Sequence, residues 1–227
     1  MVEKRESFII DIEDLDPSTK LFRIEAKDFT FKSGQFVILS LVDGKEIRRS
    51  YSMASSPYDS DYLEFCIRLK QDGEFTPRLF NLDIGDKISF EGPYGNFLLK
   101  EHEEKILIAG GTGIAPIRSM LRTLNEEKKL EKNIWLFFGF NKTGEFLFRK
   151  ELEGYKKSGL NLVPVVLHPE SHWKGELGYV MPAIKKFIPK GDEKDVYICG
   201  PPLMVRAVVQ FLLEHGFSKE RIYRDEW

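Results

Sequence analysis

Along the first hundred residues the apolar positions come in short alternating runs; beyond residue 100 they come in continuous blocks. Alternation at every second position marks strands with one buried face. It predicts strands at 8–12, 21–26, 35–41, 47–53, 62–70 and 87–91. Turn chemistry at Asp16-Pro17, Ser33-Gly34, Asp43-Gly44 and Gly85-Asp86 separates them. In YLEFCIRLK, Leu63, Phe65, Ile67 and Leu69 take one face; Tyr62, Glu64, Cys66, Arg68 and Lys70 take the other, polar one. About six such strands point to a small closed antiparallel barrel, because closure removes exposed edges. GPYGNF, at 92–97, reads as a tight turn and as the link to the second half.

In that half, apolar strands at 105–109, 133–139, 161–167 and 196–199 alternate with helices at 114–128, at 145–157, from Val180 onward and at 203–215. Near-continuous apolar strands between helices mean a parallel sheet covered on both faces. The expected fold class is therefore a two-domain β plus α/β chain. A six-stranded antiparallel barrel takes residues 1–99, and a doubly wound parallel sheet takes 100–227. Ile117, Met120, Leu121 and Leu124 make one stripe of the first helix, which is core packing.

Composition narrows the classes. Lys+Arg 34 against Asp+Glu 36 leaves a net charge of -2, which provides no global basic field for nucleic acid. No apolar run approaches the roughly 20 residues a membrane span needs, and MVEKRESF lacks a signal-peptide core. The two cysteines, Cys66 and Cys199, stand far apart. They exclude a four-cysteine zinc site or cysteine-ligated iron–sulfur cluster within this chain, so no metal is expected. A reduced, cytoplasmic protein is the expectation.

Four stretches carry candidate chemistry. Arg49-Ser50-Tyr51-Ser52 alternates on a strand, with Arg49 and Tyr51 facing one way and Ser50 and Ser52 the other. It reads either as a half-exposed strand or as a grip for a flavin nucleotide: Arg49 for pyrophosphate, Tyr51 for the ring face, Ser52 for the ring edge. In GEFTPRL, Thr76 before Pro77 is read as an N-cap, opening either a plug helix or, with Gly73, a phosphate contact. Gly110-Gly111-Thr112-Gly113-Ile114-Ala115-Pro116 ends one strand and opens a helix. Its glycines make the turn or let backbone approach a dinucleotide, and the run is not a GxGxxG fingerprint. Cys199-Gly200-Pro201-Pro202-Leu203-Met204 ends another strand, with Cys199 as a small buried residue or the wall of a ligand crevice.

Together RSYS, GEFT, GGTGIAP, CGPPLM and a terminal aromatic resemble the ferredoxin–NADP reductase superfamily, with the motifs in that family's order across nearly the whole chain. DGEFTPRL looks most like the bacterial ferredoxin/flavodoxin reductase branch. The resemblance implies a flavoprotein oxidoreductase with bound FAD and NADH or NADPH as substrate. Hydride would pass from the nicotinamide to the flavin, and electrons would leave to a separate acceptor: ferredoxin, flavodoxin, an oxygenase component or a small molecule. It implies cofactor contacts at Arg49, Ser50, Tyr51, Ser52, Ile67, Gly73, Phe75, Thr76, Gly111, Thr112, Gly113, Ala115, Pro116, Cys199, Gly200, Pro201, Met204 and Trp227. Catalytic parts fall to Ser52, Cys199 and Glu226, with Trp227 lying over the flavin ring. GFNKTGEF places Asn141 and Lys142, not arginine, where NADPH-preferring members often carry one, and LHPESHWKG offers His168, His172 and Lys174. This leans the expected donor to NADH unless Lys142 or Lys174 takes the 2′-phosphate. A free-flavin reductase, an oxygenase reductase component and a non-catalytic electron-transfer subunit stay open, as does FMN in place of FAD. A monomer is expected.

Overall fold

The computed structural model describes residues 2–43, 45–102, 104–130, 133–190 and 193–226. The chain divides into two compact units, Met1–Leu98 with Arg118–Thr123, and Leu99–Ile117 with Leu124–Trp227.

The first unit holds β1 (Glu3–Asp16), β2 (Thr19–Glu25), β3 (Phe36–Asp43), β4 (Lys45–Ser52), β5 (Tyr62–Arg68), the short helix α1 (Thr76–Phe80) and β6 (Lys87–Tyr94). They form one antiparallel sheet in the order β4-β3-β6-β1-β2-β5. β1 is much longer than its apolar signal because it serves two neighbours. Glu3 to Phe8 pair with β6, and from Ile9 onward the strand pairs with β2, with a register shift between Ile9 and Asp11. Among the described residues the end strands β4 and β5 share no ladder. One backbone bond spans the gap, from the Ala54 N–H just beyond β4 to the Glu64 carbonyl on β5 (2.7 Å). Ile9, Phe22, Leu39, Phe65 and Phe90 are fully buried at the centre of the core.

β5 departs from the expected alternation. Leu63, Phe65 and Ile67 are buried, but so are Glu64 and Cys66, which pattern alone assigns to a polar face. The second face of this strand is covered, and arginines neutralise the carboxylate there. Burial pushes the Cys66 thiol up to about 12, so it stays protonated.

The second unit is a sheet of parallel strands: β7 (Lys105–Gly110), β8 (Ile134–Lys142), β9 (Asn161–His168), β10 (Glu176–Leu177), β11 (Asp195–Gly200) and β12 (Ile222–Glu226). Helices α2 (Ile114–Glu126), α3 (Arg149–Tyr155), α4 (Val180–Phe187) and α5 (Pro202–Glu214) connect them. The strand order is β10-β9-β8-β7-β11-β12. Every residue of β7 and β11 is buried, as strands covered on both faces require. Two strands lack an apolar signal in sequence: β10 has only two residues, and β12 mixes polar with apolar positions at the sheet's edge. The helix expected at 145–157 is shorter, because a 3₁₀ turn at Thr143–Glu145 and a left-handed Phe148 (φ 55°) delay its start to Arg149. Among the described residues no helix is long and apolar enough to cross a membrane.

Candidate functional site

The candidate residues gather into two constellations, one in each unit. In the first, register confirms which residues share a face. Arg49 lies opposite Leu39 and Tyr51 opposite Val37, on the core side; Ser50 lies opposite Ile38 and Ser52 opposite Phe36, on the other. Tyr51 packs its ring against Phe75, with centroids 5.5 Å apart. Burial raises its phenol to about 12, against the lowering charge of Arg49, so the ring is neutral at any physiological pH. The Arg49 head is half exposed; it donates to the Arg48 carbonyl (2.7 Å) and stands 3.9 Å from the exposed Glu74. An ion pair that open to water is weak, so an anion with two acceptor oxygens competes well for this guanidinium.

Thr76 is not the N-cap. That position belongs to Phe75, which has helical φ/ψ and makes no side-chain cap bond. The Thr76 hydroxyl instead accepts from the Lys70 N–H (2.9 Å) and donates to the Lys70 carbonyl (3.2 Å). Gly73 donates its N–H to the same carbonyl, 2.9 Å away. The hydroxyl thus closes the 70–76 loop and holds Phe75 beneath Tyr51. Ile67 is fully buried in the core.

In the second unit the strand order reverses between β7 and β11, and the carboxyl ends of these two strands flank the switch point where ligands of such sheets bind. Both ends are glycine turns packed against each other. A Cβ on Gly113 would stand 2.3 Å from the Cys199 carbonyl oxygen, and one on Gly110 would stand 2.3 Å from the Met204 sulfur. Gly111 has φ +53° and nothing within 4 Å of where its side chain would project. The turn therefore has a crowded side that only glycine satisfies and an open side made of bare main chain. Thr112 is half-buried there; Ala115 and Pro116 are buried in the first turn of α2. Pro201 is exposed and Leu203 is 80% exposed at the start of α5.

Cys199 is fully buried, and burial, with the Asp225 charge adding, raises its thiol well above the ordinary value. A neutral thiol is a wall, not a nucleophile. Glu226 is exposed and lies opposite Gly200 in the β11–β12 ladder, which brings it to the rim of the same turn. Pattern reading leaves β12 out, so this neighbourhood emerges only from the sheet. Trp227 lies outside the described residues. Asn141 and Lys142 end β8, with Lys142 opposite His168; all three, and Lys174, are exposed.

Pattern reading also misses a group of charged residues close to the first constellation. Glu64, Arg23, Arg118, Arg122 and Asp59 form a connected network in the first unit around the buried pair Glu64 and Arg118.

Residues 7–98 match the model of the oxidoreductase FAD-binding domain, and residues 107–210 that of the oxidoreductase NAD-binding domain. The sulfhydrogenase 2 subunit gamma of Pyrococcus furiosus is 35% identical over 240 residues, covering 95% of this chain and 80% of that protein. The xylene/toluene monooxygenase electron transfer component of Pseudomonas putida is 31% identical, over 88% of this chain and 59% of its own length. Among solved structures, a ferredoxin NADP+ reductase from Neisseria gonorrhoeae with bound FAD and NADP superposes with a TM-score of 0.88 at 25% identity, covering 98% of both chains.

Proposed function

Because the chain belongs to the ferredoxin–NADP reductase superfamily of FAD- and NAD(P)-binding oxidoreductases, we propose that it takes hydride from NAD(P)H and delivers electrons to a separate redox partner. The observation that carries this reading is the main-chain cradle at the switch point, where Gly111 is open and Gly113 is forced by the backbone of Cys199. Main chain left open at a strand-to-helix turn suits a dinucleotide's phosphates. Gly111, Thr112, Gly113, Ala115 and Pro116 hold them. Cys199, Gly200, Pro201 and Met204 form the small-residue wall beside the nicotinamide.

The residues of the first unit equally fit FAD. Arg49 supplies a guanidinium for the diphosphate, Tyr51 a neutral ring backed by Phe75, and Ser50 and Ser52 hydroxyls on the opposite face of the strand. Gly73 and Thr76 shape the loop that places Phe75. Bound flavin supplies the acceptor of a hydride and the means of releasing electrons singly or in pairs. The chain supplies orientation: Ser52 holds the ring edge, and Glu226 moves a proton at the rim. The exposed Asn141, with no arginine beside it, favours NADH. The proposed domain boundary puts flavin at 1–99 and nucleotide at 100–227, although Arg118–Thr123 pack with the first unit.

The acceptor is a ferredoxin, a flavodoxin or an oxygenase component. The electron-transfer relative from Pseudomonas putida favours the last, and the sulfhydrogenase subunit makes a larger redox assembly the second reading. The deciding experiment is an anaerobic visible spectrum of the FAD-loaded protein, titrated with NADH and then NADPH. The flavin bands are expected to bleach at lower NADH than NADPH. Persistent bands with both nucleotides would reject the reductase reading.

A further inference from the structure

β4 is an edge strand, paired among the described residues with β3 alone. An edge strand's end is free to shift unless something other than a ladder holds it. Immediately after Ser52, the segment Met53, Ala54, Ser55 and Ser56 is fully buried. It is held on every side: the Met53 N–H donates to the Gln35 carbonyl (3.1 Å) and the Ala54 N–H to the Glu64 carbonyl (2.7 Å), while the Ser55 hydroxyl accepts from the Glu64 N–H (3.2 Å).

Side-chain charge completes the enclosure. Arg118 Nη1 donates both to the Ala54 carbonyl (3.0 Å) and to Glu64 Oε2 (2.6 Å). Arg122 donates to the same Glu64 oxygen (3.0 Å) and to Asp59 Oδ1 (3.0 Å), and Asp59 Oδ2 accepts from the Ser56 N–H (2.8 Å). Arg23 takes the other Glu64 oxygen at 2.6 Å. The circuit runs from Ala54 through Arg118, Glu64, Arg122 and Asp59 back to Ser56, so Ala54 and Ser56 are both linked through arginines to one buried carboxylate. A neutral core of similar volume covers the same surface without such directional bonds, and buried ionic groups are best attested as devices that fix register.

We infer that Glu64 and Arg118 are positioning residues: their buried pair fixes the main chain that follows Ser52, and so sets where Tyr51 and Ser52 stand against bound flavin. The inference rests on the flavin reading above. Neither residue touches the reacting atoms; each acts through the Ala54 peptide.

The test compares wild type with Arg118→Lys and with the double variant Glu64→Gln/Arg118→Met, which leaves no unpaired carboxylate behind. The first measurement needs no cofactor: amide hydrogen exchange of residues 51–56 in the flavin-free protein. Exchange at Met53 and Ala54 is expected to be at least tenfold faster in the double variant, with Arg118→Lys between it and wild type. The second uses FAD-loaded protein. Flavin reduction at saturating NADH is expected to slow at least tenfold with an altered visible circular dichroism of the flavin, while half-saturation by NADH moves less than twofold. Wild-type exchange together with wild-type rate and dichroism in both variants overturns the inference. If the double variant does not fold, Arg118→Lys decides by the same readings. If wild type takes up no FAD, the flavin reading fails, and the exchange measurement alone still upholds or overturns the clamp.

Discussion

Single residues set the two constellations by what they leave out. Gly113 has no room for a methyl group, since the Cys199 carbonyl oxygen would lie 2.3 Å from it. Gly111 has room but a left-handed backbone that costs a side-chain-bearing residue about 1–2 kcal/mol. The two substitutions to alanine therefore separate packing from conformation. Gly113→Ala forces two strand ends apart and is expected to cost about 1–3 kcal/mol or more as overpacking. It should also weaken nucleotide binding, because the cradle is distorted. Gly111→Ala is expected to lose the smaller amount, with its main effect on KM for the nucleotide. Thermal unfolding and KM measured on both variants check the order; equal stability losses would reject the crowded-side, open-side description.

At the scale of elements, the junction between β4 and β5 is held by charge instead of by a ladder. Burial pushes the Glu64 carboxyl up, but the charges of Arg118 and Arg122 and the hydrogen bonds from Arg23 and Arg118 outweigh burial and hold it below the ordinary carboxylate range. The groups facing it are those three arginines, with Asp11, Asp59 and Tyr62 around them. A carboxylate whose folded value is depressed contributes stability that is complete above its unfolded value, about 4.3, and is lost as pH falls through the folded value. Denaturant unfolding from pH 7 down to pH 3 should therefore show stability falling below about pH 4. Glu64→Gln should flatten that acid limb while lowering stability near neutrality, since removing one partner from a buried pair costs about 3–5 kcal/mol. An unchanged acid limb would mean that Glu64 is not a principal titrating group.

For the whole molecule, each unit has its own core and its own candidate ligand. A ligand that binds only folded protein stabilises it by about 2.7 kcal/mol at 100 times its Kd. FAD is accordingly expected to slow hydrogen exchange within residues 2–98, and ADP-ribose within residues 105–226, when each is added alone. Protection by FAD confined to the second unit would reverse the assignment of cofactors. A net charge of -2 leaves no long-range field to steer a highly charged acceptor, so docking falls to local features of the surface.

The division into an alternating half and a blocked half, most of the strands, and the turns where glycine is needed were all legible in the residue pattern. Those properties are local: periodicity reports which face meets solvent, and a glycine turn reports a backbone that side chains would obstruct. The sequence also carried the motif order that identifies the superfamily. What depends on partners distant along the chain became visible in the folded protein. The polar first half of β1 is a strand because β6 supplies its hydrogen bonds, and β10 and β12 exist because β9 and β11 offer edges to them. Thr76 closes a loop instead of capping a helix because Lys70 presents both a donor and an acceptor to it. Glu64 is buried because Arg118, 54 residues away, neutralises it. Alternation cannot distinguish a polar side chain facing water from one facing a buried cation, and here that difference organises the end of the strand carrying Tyr51 and Ser52.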